Sequence, residues 1–208
     1  EMPDFGTALL VFILTMVVGY FLGTAYFSWI SRLTATTQVP FSIKTTIKQA
    51  LQAISLALIL GIALLIILLP LTFVVSILSM ISAGVAEAAL LIASFFLLWT
   101  LMPVLFSMHG IFTHNFNAIN SISASVRLVR YFMPGAGFFM IIALILTLGL
   151  NAIWSIAPAA SWLSVFGIAG HAFISTAIIA ASFIYYRGSF QWMQENLQRL
   201  AQTNGIKI

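Results

Sequence analysis

The chain has 208 residues, of which 62% are hydrophobic and only 6% charged, and its mean hydropathy is +1.14. An ordinary soluble domain is about half apolar and about one quarter charged. With 8 Lys+Arg and 4 Asp+Glu, most of the surface cannot be charged, which excludes a typical soluble enzyme, a disordered chain and a nucleic-acid partner held in a basic groove.

What remains is an all-α, polytopic membrane helical bundle. The N-terminus, Glu1 to Thr7, is acidic and lacks the basic n-region of a secretory signal. Residue 1 is not Met, which leaves room for a preceding span. The first apolar run is Thr7 to Ile30, closed by Arg32. The second, from about Leu51 to Phe112, is interrupted only by Glu87 and His109 and has the length of a two-span hairpin. Ser, Ala and Gly cluster at Ser79 to Gly84, which predicts the reversal there. Pro70 then lies within a span, where the loss of a backbone hydrogen bond predicts a kink. The third region, Met133 to Tyr186, reverses near Ala157 to Ser164, around Pro158. Five spans result, at roughly 7–30, 49–78, 84–108, 135–157 and 165–186.

The cations fall on one side of that frame. Arg32, Lys44 and Lys48 follow span one, Arg127 and Arg130 follow span three, and Arg187, Arg199 and Lys207 follow span five. Glu1, Asp4 and Glu87 fall on the other side. The positive-inside rule then predicts an outer N-terminus and a cytoplasmic C-terminus. Tyr26, Trp29, Tyr131, Tyr185, Tyr186 and Trp192 mark the inner boundary, and Trp154 and Trp162 the outer one.

The inner connections have helical periodicity. Val39, Ile43, Ile47 and Leu51 form one apolar face, with Pro40 in the first turn. Phe116, Ile119, Ile122, Val126, Val129 and Met133 form a second, and Phe190, Met193, Leu197 and Leu200 a third. These are expected to be amphipathic helices lying in the headgroup plane on the cytoplasmic side. A shift of 79 residues aligns Phe27–Ser28 with Phe106–Ser107, Ser42–Ile43 with Ser121–Ile122, and Lys48 with Arg127. A shift of 78 aligns Gly110 and Phe112 with Gly188 and Phe190. The whole chain, 1–208, is therefore expected to be one integral membrane domain. A first span precedes parallel hairpin repeats over 39–108 and 116–186, and an amphipathic helix over 188–202 ends it.

Chemistry-bearing residues are few. Glu87, Asn151 and His171 are expected at similar depth near the outer interface, either as one polar cluster or as ordinary interhelical hydrogen-bonding groups. His109 or His171 could each offer a single axial ligand to a haem or chlorophyll. Helix rise separates them by about 20 Å, so they cannot share one haem. There is no cysteine, hence no thiolate metal site or nucleophile. Metalloprotease, serine-hydrolase and phosphate-loop motifs are absent. Ser175 and His171 share a helix face, as a chance pair often does. No cofactor or metal is expected. Gly19 and Gly23 form a GxxxG face for close helix approach, either within the bundle or toward a partner. Ala89 and Ala93, and Ala172, Thr176 and Ala180, form further small stripes.

This order of hairpins and amphipathic inner helices, from Ser28 to Arg199, resembles that of YciC-like bacterial inner-membrane proteins. It also resembles the membrane domain attached to some glycerophosphodiester phosphodiesterases. The resemblance is one of layout. It implies a multi-pass protein of the bacterial inner membrane. The phosphodiesterase catalytic domain has no counterpart here, and no functional residues carry over. The residues themselves point first to a non-enzymatic accessory or scaffold subunit, or membrane organiser, that meets lipid and either a membrane-protein partner or a second copy. A small-molecule or lipid transporter and a haem- or chlorophyll-binding subunit are the alternatives.

Overall fold

The computed structural model describes residues 4–36, 40, 42–156 and 161–203. Among them every regular element is helical. Helix α1 is Phe5–Leu33, α2 Ile43–Ile81 and α3 Ala83–Leu101; a 3-10 turn, Met102–Val104, follows, then α4 Ser107–His114, α5 Ala118–Tyr131, α6 Met133–Trp154 and α7 Trp162–Thr203. Five stretches are long and apolar enough to cross a membrane. They match the five expected spans, with α2 and α3 reversing at Ser82. Of the expected reversal at Ala157 to Ser164, residues 157–160, with Pro158, lie outside the described residues, as do Glu1, Val39 and Lys207, and α7 begins at Trp162.

Local chemistry sets the helix ends. Asp4 accepts a hydrogen bond from the Thr7 amide at 2.6 Å and starts α1. Asn117 does the same for α5 through Asn120, at 2.8 Å. Ser42 caps α2, so Pro40 precedes the helix and does not occupy its first turn as expected. Pro103 has no amide hydrogen, and at that point α3 gives way to the 3-10 turn. The expected third span therefore stops at Leu101, and α4 begins anew at Ser107.

Two of the three expected amphipathic helices are not separate elements. The segment after span one is the beginning of α2, and the C-terminal segment is the end of α7. Nothing in either sequence stops a helix: Gly188 is the only weak helix former near the second junction, and a lone glycine costs only about 1 kcal/mol. The 42 residues of α7 measure about 63 Å, twice a hydrocarbon core of about 30 Å. Its last turns thus prolong a span. Only α5 stands as a distinct helix.

The packed core sits at the cationic end. Ile30, Ala53, Leu56, Ile111, Phe112, Ala118 and Phe183 form one buried cluster. Phe106, Leu128, Val129, Ala136, Tyr186, Phe190 and Met193 form the other. These residues come from the end of α1, the start of α2, α4, α5, the start of α6 and the middle of α7. By contrast, the most apolar window of each span is at most 6% buried within the chain.

Candidate functional site

The same end carries the main polar cluster. Its centre is the turn between α4 and α5. Asn115 ends α4 in the left-handed conformation, at φ 54°, and its amide closes back on the Gly110 carbonyl. That geometry presents Asn115 Oδ1 to Gln49 Nε2 of α2, at 2.8 Å. The last carbonyls of a helix lack intrahelical partners. Here the Phe112 carbonyl accepts from Ser31 Oγ of α1 at 3.0 Å and from Gln49 Nε2 at 3.4 Å. Ser28 Oγ donates to Gln49 Oε1 at 3.0 Å. Gln52 Oε1 accepts from the Ala118 amide, one of the free donors at the start of α5, at 2.9 Å. Polar side chains of α1 and α2 thus cap two other helices in a buried junction.

Helix α7 closes the junction. Arg187 donates to Thr34 Oγ1 at 2.9 Å, to Ser31 Oγ at 3.0 Å and to the Ser31 carbonyl. The planar guanidinium can serve several oxygens of one helix end at once. It also places a cation at the C-terminus of α1, where the helix dipole is negative. Nearby, Arg32 donates to Thr46 Oγ1 at 3.2 Å. Helix α5 is fastened by serines: Ser125 Oγ donates to the Pro103 carbonyl at 2.6 Å, and Ser121 Oγ to the Ser107 carbonyl. Gly110 permits this approach, because a Cβ there would collide with Ser121 Oγ and lie 3.1 Å from Tyr186 Oη.

The faces of α2 and α5 that meet the rest of the chain are partly polar, and the expected apolar face of α2 is turned outward. Gln49, Ala50, Ala53 and Leu56 are buried on α2, whereas Ile43, Ile47 and Leu51 are exposed. Ala118, Ser121, Ser125, Leu128 and Val129 are buried on α5, whereas Ile119 is 70% exposed. On α7, Phe190 and Met193 are buried against the chain itself, and Leu200 is exposed.

The remaining candidates fall as follows. His109 is buried between Phe106, Phe183 and Tyr186, with Nε2 2.7 Å from Ser182 Oγ. An axial ligand would have to displace that serine or use Nδ1, which has no partner. Asn151 and His171 line one cleft of about 380 Å³ between α6 and α7, together with Trp154, Ser155 and Ser164. Glu87 is exposed on α3 and does not line it. The expected three-residue cluster is therefore a pair plus a separate carboxylate. Trp154 packs on Gly170, where a Cβ would lie 2.5 Å from the indole.

Gly19 and Gly23 have nothing within 4 Å of an added Cβ, so this face is not covered by the described residues. Thr176, from the small stripe of α7, contacts Tyr26 hydroxyl to hydroxyl at 2.5 Å. Lys44, Lys48, Arg127, Arg130 and Arg199 are exposed. No group of three metal-ligating side chains occurs among the described residues. Sequence periodicity missed Ser28, Gln49, Gln52, Asn115 and the role of Arg187. Their only signal was polarity at the ends of apolar runs. Comparison with protein-family models, curated proteins and solved structures finds no match.

Proposed function

We propose that this chain is a non-enzymatic scaffold or accessory subunit of the bacterial inner membrane, with its N-terminus outside and its cationic end in the cytoplasm. The observation that carries the reading is the unequal packing of α1. Its last turns are tied to α2, α4 and α7, while residues 5–19, including Gly19, are exposed along their whole length. Lipid alone satisfies an apolar helix, but close approach of small residues is a way for membrane helices to associate. The orientation is supported by the seven described cations, all borne by elements that meet at one end, and by the positive-inside rule.

The parallel repeat belongs to the same proposal. Helices α1, α4 and α7 pack against one another, α2 packs on α1 and α4, and α5 packs on α4 and α7. Ser28, Ser107 and Tyr186, spaced by 79 residues, are all buried, and so are Ser31, Gly110 and Ser189 at the same spacing. Extraction from native membranes in a mild detergent, followed by mass measurement, tests the function. A partner protein, a second copy or retained lipid is expected. A homogeneous bare monomer overturns the proposal.

A further inference from the structure

Between α3 and α6 lies an apolar groove of about 410 Å³, lined by Phe95, Leu98, Trp99, Met102, Gly137 and Leu144 among others. On α3 it runs from mid-helix to the 3-10 turn and Leu105. The ten steps from Phe95 to Leu105 rise about 15 Å, the depth of one leaflet of a hydrocarbon core of about 30 Å. The groove therefore occupies the leaflet at the cationic end. Its inner mouth is the 3-10 turn, whose Pro103 carbonyl is held by Ser125 of α5. Arg127 and Arg130 follow Ser125 within about a turn and a half, and both are exposed. Tyr131, next to Arg130 in sequence, is also exposed. Helix α5 leads through Phe132 into α6, so Arg130 lies seven residues and Arg127 ten residues before Gly137 at the groove's inner end.

We propose that the groove holds one acyl chain of an anionic phospholipid whose phosphate meets Arg127 and Arg130. Neither feature suffices alone. A bare apolar groove would take any lipid chain, and two exposed cations fall short of a polybasic patch. Their adjacency at the right depth selects a lipid that has both a chain and an anionic head. The inference rests on the apolar helices crossing a membrane and not on the scaffold role.

The test reconstitutes the isolated chain, with Trp29, Trp154, Trp162 and Trp192 replaced by Phe, so that Trp99 in the groove reports alone. Vesicles of phosphatidylcholine carry either brominated phosphatidylglycerol or brominated phosphatidylcholine. The anionic lipid is expected to quench Trp99 at a several-fold lower mole fraction, roughly fivefold per cation. Joint R127A and R130A substitution should bring the two lipids to parity. Equal quenching in the parent chain, or a preference that survives loss of both arginines, overturns the proposal. Native mass spectrometry of the unaltered chain gives a second readout, since phosphatidylglycerol should be retained over phosphatidylcholine. Because no partner is present, failure here leaves the scaffold reading standing.

Discussion

The two ends of this molecule are built on different rules. At the cationic end, six helices bury two apolar clusters and a hydrogen-bonded junction of Ser, Gln, Asn and Arg side chains. Toward the other end α1, α2, α3, α6 and α7 are almost uniformly apolar and barely cover one another. The contrast teaches that lipid-facing apolar residues are not themselves the glue. In a bilayer, a leucine gains little by moving from lipid to protein, so association depends on fit and on polar pairs. The chain concentrates both at one end.

The largest effect that would break the comparison comes from two phenylalanines of α7. Phe183 is fully buried and Phe173 is 72% exposed. Phe183→Ala should cost about 3–5 kcal/mol of unfolding free energy, while Phe173→Ala should stay within about 0.5 kcal/mol. Reversible unfolding in bicelles measures both, and equal costs would erase the distinction. Next comes the polar junction. Gln49→Leu leaves Ser28 Oγ, Asn115 Oδ1 and the Phe112 carbonyl short of partners, at a cost of about 1–3 kcal/mol in the same assay. If the leucine variant is neutral, the junction is decoration. A smaller effect is expected at Gly19→Leu. It should stabilise the isolated chain by no more than about 1 kcal/mol, since no atom lies near its Cβ, yet it should weaken any association through that face. Analytical ultracentrifugation in detergent against partner recovery from membranes separates the two.

The smallest effect is a pH dependence at the far end. The Thr7 amide holds the Asp4 carboxylate below its ordinary pKa of 3.8. A depressed carboxylate stabilises the folded state above the unfolded pKa, and that contribution is lost as pH falls through the lower folded value. Amide exchange at residues 5–8 should therefore rise on acidification below the ordinary value, and Asp4→Asn should flatten the profile. Exchange that ignores pH after correction for its intrinsic rate would remove the cap from the account.

The spans were legible because each apolar run is long and nearly free of charge. The reversal at Ser82 was legible for the same reason. The polar junction was not. Periodicity identifies an apolar face but does not say which face of the same helix meets the rest of the chain. At a membrane boundary the two can differ: Ile43 and Ile47 face outward, and the face of α2 that meets the protein contains Gln49 and Ala50. The length of α7 was also hidden, because a change from apolar to polar composition does not require a break in the backbone. Of the expected Glu87, Asn151 and His171 cluster, lateral position was not readable from the sequence, so Glu87 was grouped with a cleft that it does not line.

The central claim is that the cationic end is self-sufficient while α1 relies on something else at the other. Pulsed electron–electron spin resonance tests this directly, since the cysteine-free chain accepts pairs of spin labels without background. One pair joins Leu33 of α1 to Leu197 of α7, and the other joins Leu9 of α1 to Val165 of α7. In the isolated, lipid-reconstituted chain the account predicts a narrow distance distribution for the first pair and a broad one for the second. The second should narrow in native membranes. A second distribution already as narrow as the first in the isolated chain would contradict it.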